Sequence, residues 1–105
     1  MVQVIWTPLA QDDVAQLFHF YEQYSNRFAQ RFVEEVFQRA DMLEMMPEMG
    51  SLEPLCEHLN RNYRYLLVFR RFKIIYLYEY GACYILMVWD CRNDPNLLHN
   101  SERWL

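Results

Sequence analysis

The sequence lacks the features that would mark an exported or membrane protein. Its first residues, MVQVIWTPLAQDD, contain no basic segment followed by an apolar run and a small-residue cleavage site. The longest apolar stretches, at residues 66–69 and 84–89, are far shorter than the roughly 20 residues of a membrane-spanning helix. The sequence therefore predicts a soluble, cytoplasmic protein with no membrane partner.

Cysteines are few and are not arranged in pairs. Cys56, Cys83 and Cys91 are odd in number and have no CxxC spacing, so neither a disulfide framework nor a zinc site is indicated. Cys56 and His58 together would supply only two metal ligands. We therefore predict reduced thiols, no metal and no cofactor.

Glycine is also scarce, with two residues in a chain of 105. Hydrophobic residues make up 53% and aromatic residues 17% of the sequence, which is the composition of a folded protein rather than a disordered one. A chain of this length is typical of one domain with one core. We predict a single domain over residues 1–105.

The net charge of −4 argues against a protein whose whole surface binds nucleic acid. The charge is nevertheless uneven, because residues 61–73 contain five basic residues and no acidic one. This pattern predicts a local basic patch on an acidic protein.

Two amphipathic helices follow a short N-terminal strand at residues 2–6. Thr7 and Pro8 are suited to the N-cap and first position of the first helix, and Ser25 to the N-cap of the second. Apolar residues recur at three- and four-residue spacing in both helices. The first stripe is Ala10, Val14, Leu17, Phe18 and Tyr21; the second is Phe28, Phe32, Val33, Val36, Phe37, Ala40 and Leu43. We expect both stripes, including Phe32 and Phe37, to lie in the core.

The periodicity changes after a predicted loop at residues 49–60. Residues 63–69, 72–80 and 83–90 are rich in aromatic and β-branched residues and predict a three-stranded meander. The order is β-α-α-β-β-β, which favours an α+β fold of about four strands: a small antiparallel-rich sheet with a helical hairpin packed on one face. The strand at 72–80 is apolar on both faces, so we expect a partner segment or a second copy of the chain to cover the face opposite the helices.

This order of elements carries five strings: VIWTPLAQDD, MPEMG, YRYL, FKIIY and VWDCRNDPNLL. In this order and spacing they resemble the RelE/ParE toxins of bacterial type II toxin–antitoxin systems, over nearly the whole chain. The resemblance implies a cytoplasmic toxin that is neutralised by a small antitoxin, encoded beside it, which wraps the toxin surface.

The resemblance leaves the target open, because fold alone does not determine it. RelE-like members cut messenger RNA in the ribosomal A site, whereas ParE-like members inhibit DNA gyrase by binding and need no catalytic groups. A third possibility is an inactive module that binds an antitoxin or dimerises. We favour the hypothesis of ParE-like inhibition of gyrase over RNA cleavage.

Candidate site residues come from the nuclease pattern of this family. Arg64, Lys73 and Arg92 match its basic positions, where three cations would surround one phosphate. Leu66 stands where a second lysine is frequent, and Leu98 stands near the late tyrosine. His99, one residue further, is the candidate replacement for the missing acid or base.

Each candidate also has a structural interpretation. Arg64 would pair with Glu79 or a helix carboxylate, and Lys73 would be a solvated strand residue. Arg92 would hold the DCRNDP turn together with its neighbouring aspartates, and His99 would belong to the tail.

Overall fold

The computed structural model describes residues 1–99 and 101–104 and contains three α-helices and a five-stranded sheet. The strands are β1 (Gln3–Trp6), β2 (Ser51–Leu52), β3 (Tyr63–Val68), β4 (Phe72–Glu79) and β5 (Ala82–Asp90). The α-helices are α1 (Pro8–Glu22), α2 (Asn26–Asp41) and α3 (Pro95–His99), and 3-10 helices span Met42–Glu44 and Pro54–Leu59. Among the described residues, no helix is both long and apolar enough to cross a membrane.

The sheet has the order β1-β5-β4-β3-β2. β1 runs parallel to β5, and the other neighbouring strands are antiparallel. The predicted α+β fold with an antiparallel-rich sheet is confirmed. The prediction of about four strands missed β2, because a two-residue strand inside a loop leaves no hydrophobic periodicity.

Side-chain caps start both long helices at the predicted residues. The Thr7 hydroxyl accepts a hydrogen bond from the Ala10 N–H at 3.3 Å and donates one to the Ile85 carbonyl at 2.8 Å. The Ser25 hydroxyl accepts from the Phe28 N–H at 3.1 Å. The bonds from the Ala10 and Phe28 N–H groups satisfy helix donors that have no partner within the helix. The bond from the Thr7 hydroxyl to the Ile85 carbonyl joins the start of α1 to β5.

One core lies between the helices and the sheet. It contains buried residues of α1, α2, β3, β4 and β5: Ala10, Val14, Tyr21, Ala29, Phe32, Val36, Ala40, Leu66, Val68, Phe72, Ile74, Tyr76, Cys83, Ile85 and Val88. Phe32 is fully buried, and its ring centroid lies 4.6 Å from that of Phe72. Phe37 is 39% exposed, and its ring centroid lies 4.8 Å from that of Trp6. The prediction that Phe37 lies in the core is wrong, because it sits at the edge of the helical stripe and faces β1.

The opposite face of the sheet carries a second apolar cluster. Its buried members are Cys56, Tyr63, Ile75, Leu77, Leu86, Met87 and Leu98. Residues of the Pro54–Leu59 helix and Leu98 and Trp104 of the C-terminal segment pack against the strands here. The expectation that a partner covers this face is therefore corrected: a large part of it is covered by the chain itself.

The β4–β5 turn falls one residue earlier than the break at 81–82 between the strands predicted at 72–80 and 83–90. Glu79 pairs with Ala82, which leaves Tyr80 and Gly81 as the central residues, with φ of 53° and 75°. Tyr80 does not continue the alternation of β4, because it lies in the turn and is 98% exposed. Gly81 suits a two-residue hairpin turn, in which both central residues need positive φ.

The two phenylalanines of α2 give a matched test of the core. Phe32→Ala should lower the free energy of unfolding by roughly 3–5 kcal/mol, because it leaves a cavity between α2 and β4. Phe37→Ala should have a clearly smaller effect, because its ring is already partly in water. Urea denaturation of both variants measures the difference. Equal losses would mean that the two side chains are buried alike.

Candidate functional site

Arg64 of β3 fastens the loop after α2 to the sheet. Its guanidinium donates hydrogen bonds to the Gly50 carbonyl at 2.8 Å, the Glu48 carbonyl at 3.3 Å and the Glu48 Oε2 at 3.1 Å. Its Nε donates to the Asn62 Oδ1 at 2.9 Å. The interpretation that Arg64 pairs with Glu79 or a helix carboxylate is corrected: its carboxylate partner is Glu48 of the loop, and Glu79 pairs with Arg61.

Tyr76 of β4 holds the same loop from beneath. Its hydroxyl donates to the Pro47 carbonyl at 2.8 Å and accepts from the Gly50 N–H at 3.1 Å. Burial raises the pKa of this phenol to about 12, so it is a neutral donor near neutral pH. A Cβ at Gly50 would lie 2.6 Å from the Tyr65 carbonyl oxygen. The MPEMG string therefore corresponds to a loop that lies very close to the sheet.

Lys73 of β4 lies on the opposite face and forms an ion pair. Its Nζ is 2.7 Å from the Oε1 of Glu53 and 3.1 Å from Oε2, and it lies 4.5 Å from the centroid of the Tyr65 ring. The Glu53 side chain is fully buried, and its Oε2 also accepts from the Leu55 N–H at 3.3 Å. Lys73 thus anchors the start of the Pro54–Leu59 helix and is not a solvated strand residue.

Arg92 belongs to a polar cluster at the end of β5. Its Nη2 is 3.0 Å from the Asp90 Oδ2, and this same oxygen accepts from the Tyr21 hydroxyl at 2.7 Å. Arg71, from the β3–β4 turn, and Arg92 both donate to the Tyr21 hydroxyl. The interpretation that Arg92 holds the turn with neighbouring aspartates is confirmed for Asp90.

The polar cluster lowers the pKa of its carboxyl group, Asp90. Burial of Asp90 by itself would raise its pKa, but the hydrogen bonds from Arg92 and Tyr21 outweigh burial and hold the pKa below its ordinary value. The Tyr21 phenol changes in the other direction, because burial and the bond to Asp90 raise its pKa. Near neutral pH, Asp90 is therefore a carboxylate that accepts hydrogen bonds, and Tyr21 is a neutral phenol that donates one to it.

The three cations of the nuclease pattern lie in three separate places. Arg64 lies opposite Tyr76 in the β3–β4 pairing, and both are on the face that the helices cover. Lys73 is on the other face, as is Ile75 two residues further along β4. Arg92 is grouped with Arg71, which the sequence placed in the basic run of residues 61–73 but did not single out as a site residue. The side chain of His99, at the end of α3, lies outside the part of the structure that is described.

Comparison with known proteins identifies the class of molecule. A family model described as the ParE toxin of the type II toxin–antitoxin system parDE matches residues 4–95. A chain of the chromosomal ParDE toxin–antitoxin system from P. aeruginosa has a similar fold, with a TM-score of 0.68 and 18% identity. That likeness covers 86% of this chain and 96% of the other. No curated protein matches this chain significantly.

The protein is thus the toxin component of a type II toxin–antitoxin system. It belongs to the ParE toxin family, whose model spans most of its length. Membership implies a cognate antitoxin as partner.

The lowered pKa of Asp90 predicts a specific loss of stability in acid. A group whose pKa is lower in the folded state stabilises the protein above its unfolded pKa, about 3.9 for aspartate, and loses this contribution as the pH falls through the folded value. Asp90→Asn should lower the free energy of unfolding by roughly 1–3 kcal/mol at about pH 6. The difference from wild type should shrink towards about pH 3. Urea denaturation at both pH values measures it, and a pH-independent difference would contradict the assignment.

Proposed function

We propose that this toxin inhibits DNA gyrase by binding and does not cleave RNA. The observation that carries the proposal is the separation of the expected catalytic cations. Metal-free cleavage of a phosphodiester needs a base, a cation and an acid around one phosphate. Arg64 and Lys73 lie on opposite faces of the sheet and are each engaged with a carboxylate.

The residues at the two remaining nuclease positions support the same view. Leu66 and Leu98 stand where that pattern has a lysine and, nearby, a tyrosine. Leu66 is 4% exposed in the core under the helices, and Leu98 is 1% exposed in the cluster on the other face. Both are used for packing, so these positions supply neither a cation nor a proton donor.

The face that bears Lys73 is partly covered by the chain itself. Leu55, Leu59, Leu98 and Trp104 pack against the strands there. A phosphate bound at Lys73 would have to separate it from Glu53. Binding of a protein target does not need this change, and inhibition of gyrase is what the resemblance implies for the ParE-like members of the superfamily.

The RNA-cleaving alternative would depend mainly on Arg92. Its side chain is 58% exposed, against 18% for Arg64 and 19% for Lys73, so Arg92 is the most accessible of the three candidate cations. His99 would have to supply the acid or base in this alternative. An inactive module that only binds the antitoxin would show neither activity.

Induction of the toxin without its antitoxin tests the proposal. We expect plasmid supercoiling to change while transcripts stay intact on translating ribosomes. With purified components, gyrase supercoiling should fall in proportion to the toxin added, as expected for a stoichiometric inhibitor. Cleavage of transcripts with unchanged supercoiling would contradict the proposal, and the absence of both effects would favour an inactive module.

A paired substitution supplies the control. Lys73→Met combined with Glu53→Leu removes both charges and keeps an apolar cover, and exchanges of this kind are often neutral or stabilising. The double variant should fold and still inhibit gyrase, because Lys73 has no chemical role in the proposal. Loss of toxicity in a folded double variant would favour a direct role of Lys73.

A further inference from the structure

Five arginines lie at one end of the molecule and form what we call the arginine corner. Arg27 and Arg31 are on the first turns of α2, Arg70 and Arg71 are in the β3–β4 turn, and Arg92 follows β5. Arg31 lies 5.6 Å from the centroid of the Phe69 ring, which joins α2 to the turn. Arg71 and Arg92 meet at Tyr21, which joins the turn to the end of β5.

The inner part of the corner carries more positive than negative charge. Arg71 lies over the Tyr21, Phe72 and Phe28 rings, at 4.7, 5.1 and 5.8 Å from their centroids. Arg71 and Arg92 share the carboxylate of Asp90, at 4.0 and 3.0 Å. Two guanidinium groups therefore face one carboxylate of the chain itself, which leaves this pair with one positive charge that is not balanced by Asp90.

The turn that presents the outer arginine has an unfavourable backbone. Phe69 and Arg70 have φ of 53° and 55°, a left-handed conformation that suits glycine or asparagine. In this conformation the Phe69 ring packs near the Phe28 ring, with centroids 5.8 Å apart. Arg70 is exposed, so packing does not explain why an arginine is placed there. Strained positions of this kind are frequent where a ligand is held.

The distribution of charge favours an anionic partner of limited size. The protein has a net charge of −4, yet half of its ten basic residues are in the arginine corner. The remainder of the chain is strongly acidic, so a long polyanion such as nucleic acid would be repelled outside the corner. A short acidic peptide segment would contact the corner alone.

Exposed aromatic rings beside the corner fit a polypeptide partner. Tyr24 is 74%, Phe20 46% and Phe69 38% exposed, and the Phe20 and Tyr24 rings lie 5.6 Å apart. Arginine and aromatic side chains are the types that contribute most to protein–protein interfaces. Arginine also binds carboxylates through two parallel hydrogen bonds, which adds directional specificity.

We propose that the arginine corner binds an acidic segment of a partner polypeptide, with carboxylates on the guanidinium groups and apolar side chains on Phe20, Tyr24 and Phe69. This site shares only Arg92 with the nuclease pattern, because Arg27, Arg31, Arg70 and Arg71 lie outside that pattern. The proposal does not depend on the inhibition of gyrase, because it concerns only the chemistry of the segment that binds the arginine corner.

Titration of the full-length toxin with a labelled peptide rich in glutamate and aspartate, with one phenylalanine, tests the proposal. Fluorescence anisotropy should show binding that weakens as salt is added. Amide NMR shifts should change at residues 69–71 and at the start of α2. Combined substitution of Arg27, Arg31 and Arg70 by glutamine should weaken binding about tenfold, because three exposed charge pairs are lost.

Arg39→Gln is the matched control, because it removes one arginine from the other end of α2. We expect it to bind the peptide as the wild type does, and melting temperatures should confirm that all variants fold. An equal loss in the control, shift changes elsewhere, or no detectable binding would overturn the proposal. Tighter binding of a single-stranded oligonucleotide of the same charge would overturn it in favour of a nucleic-acid surface.

Discussion

The sheet is apolar on both faces, and the rest of the structure follows from the need to cover each of them. The helical hairpin covers one face through residues such as Phe32, Val36 and Ala40. The other face has no long helix of its own among the described residues. The short Pro54–Leu59 helix and residues near the C-terminus cover it instead. Segments this short bury little apolar surface, so they need polar contacts to hold them in place.

Lys73 supplies one of those contacts, because it holds the buried carboxylate of Glu53 at the start of the Pro54–Leu59 helix. On the helix face, Arg64 and Tyr76 hold the loop after α2 in the same way. A charge that is buried and paired in this way is strongly destabilising once its partner is removed. Arg64 and Lys73, which match the nuclease pattern, therefore have structural roles in this chain. Arg71 and Arg92 differ, because they share one carboxylate and border an exposed surface.

Local patterns predicted the helices, their caps and the core strands, because these depend on spacing and on neighbouring residues. Thr7, Ser25 and Phe32 are examples. Patterns failed where a contact joins distant parts of the chain. The pairing of Arg64 with Glu48, of Lys73 with Glu53 and of Arg71 with Tyr21 each spans between 16 and 50 positions. Such pairings depend on register and turn geometry, which spacing alone does not specify.

A double-mutant cycle on Lys73 and Glu53 tests most directly whether Lys73 holds the segment that covers the sheet or belongs to a catalytic site. Lys73→Met and Glu53→Leu should each lower the free energy of unfolding by roughly 3–5 kcal/mol, because each leaves the other charge unpaired. The double variant should recover most of the loss, which gives a large coupling energy. A Lys73→Met variant as stable as the wild type would contradict the account.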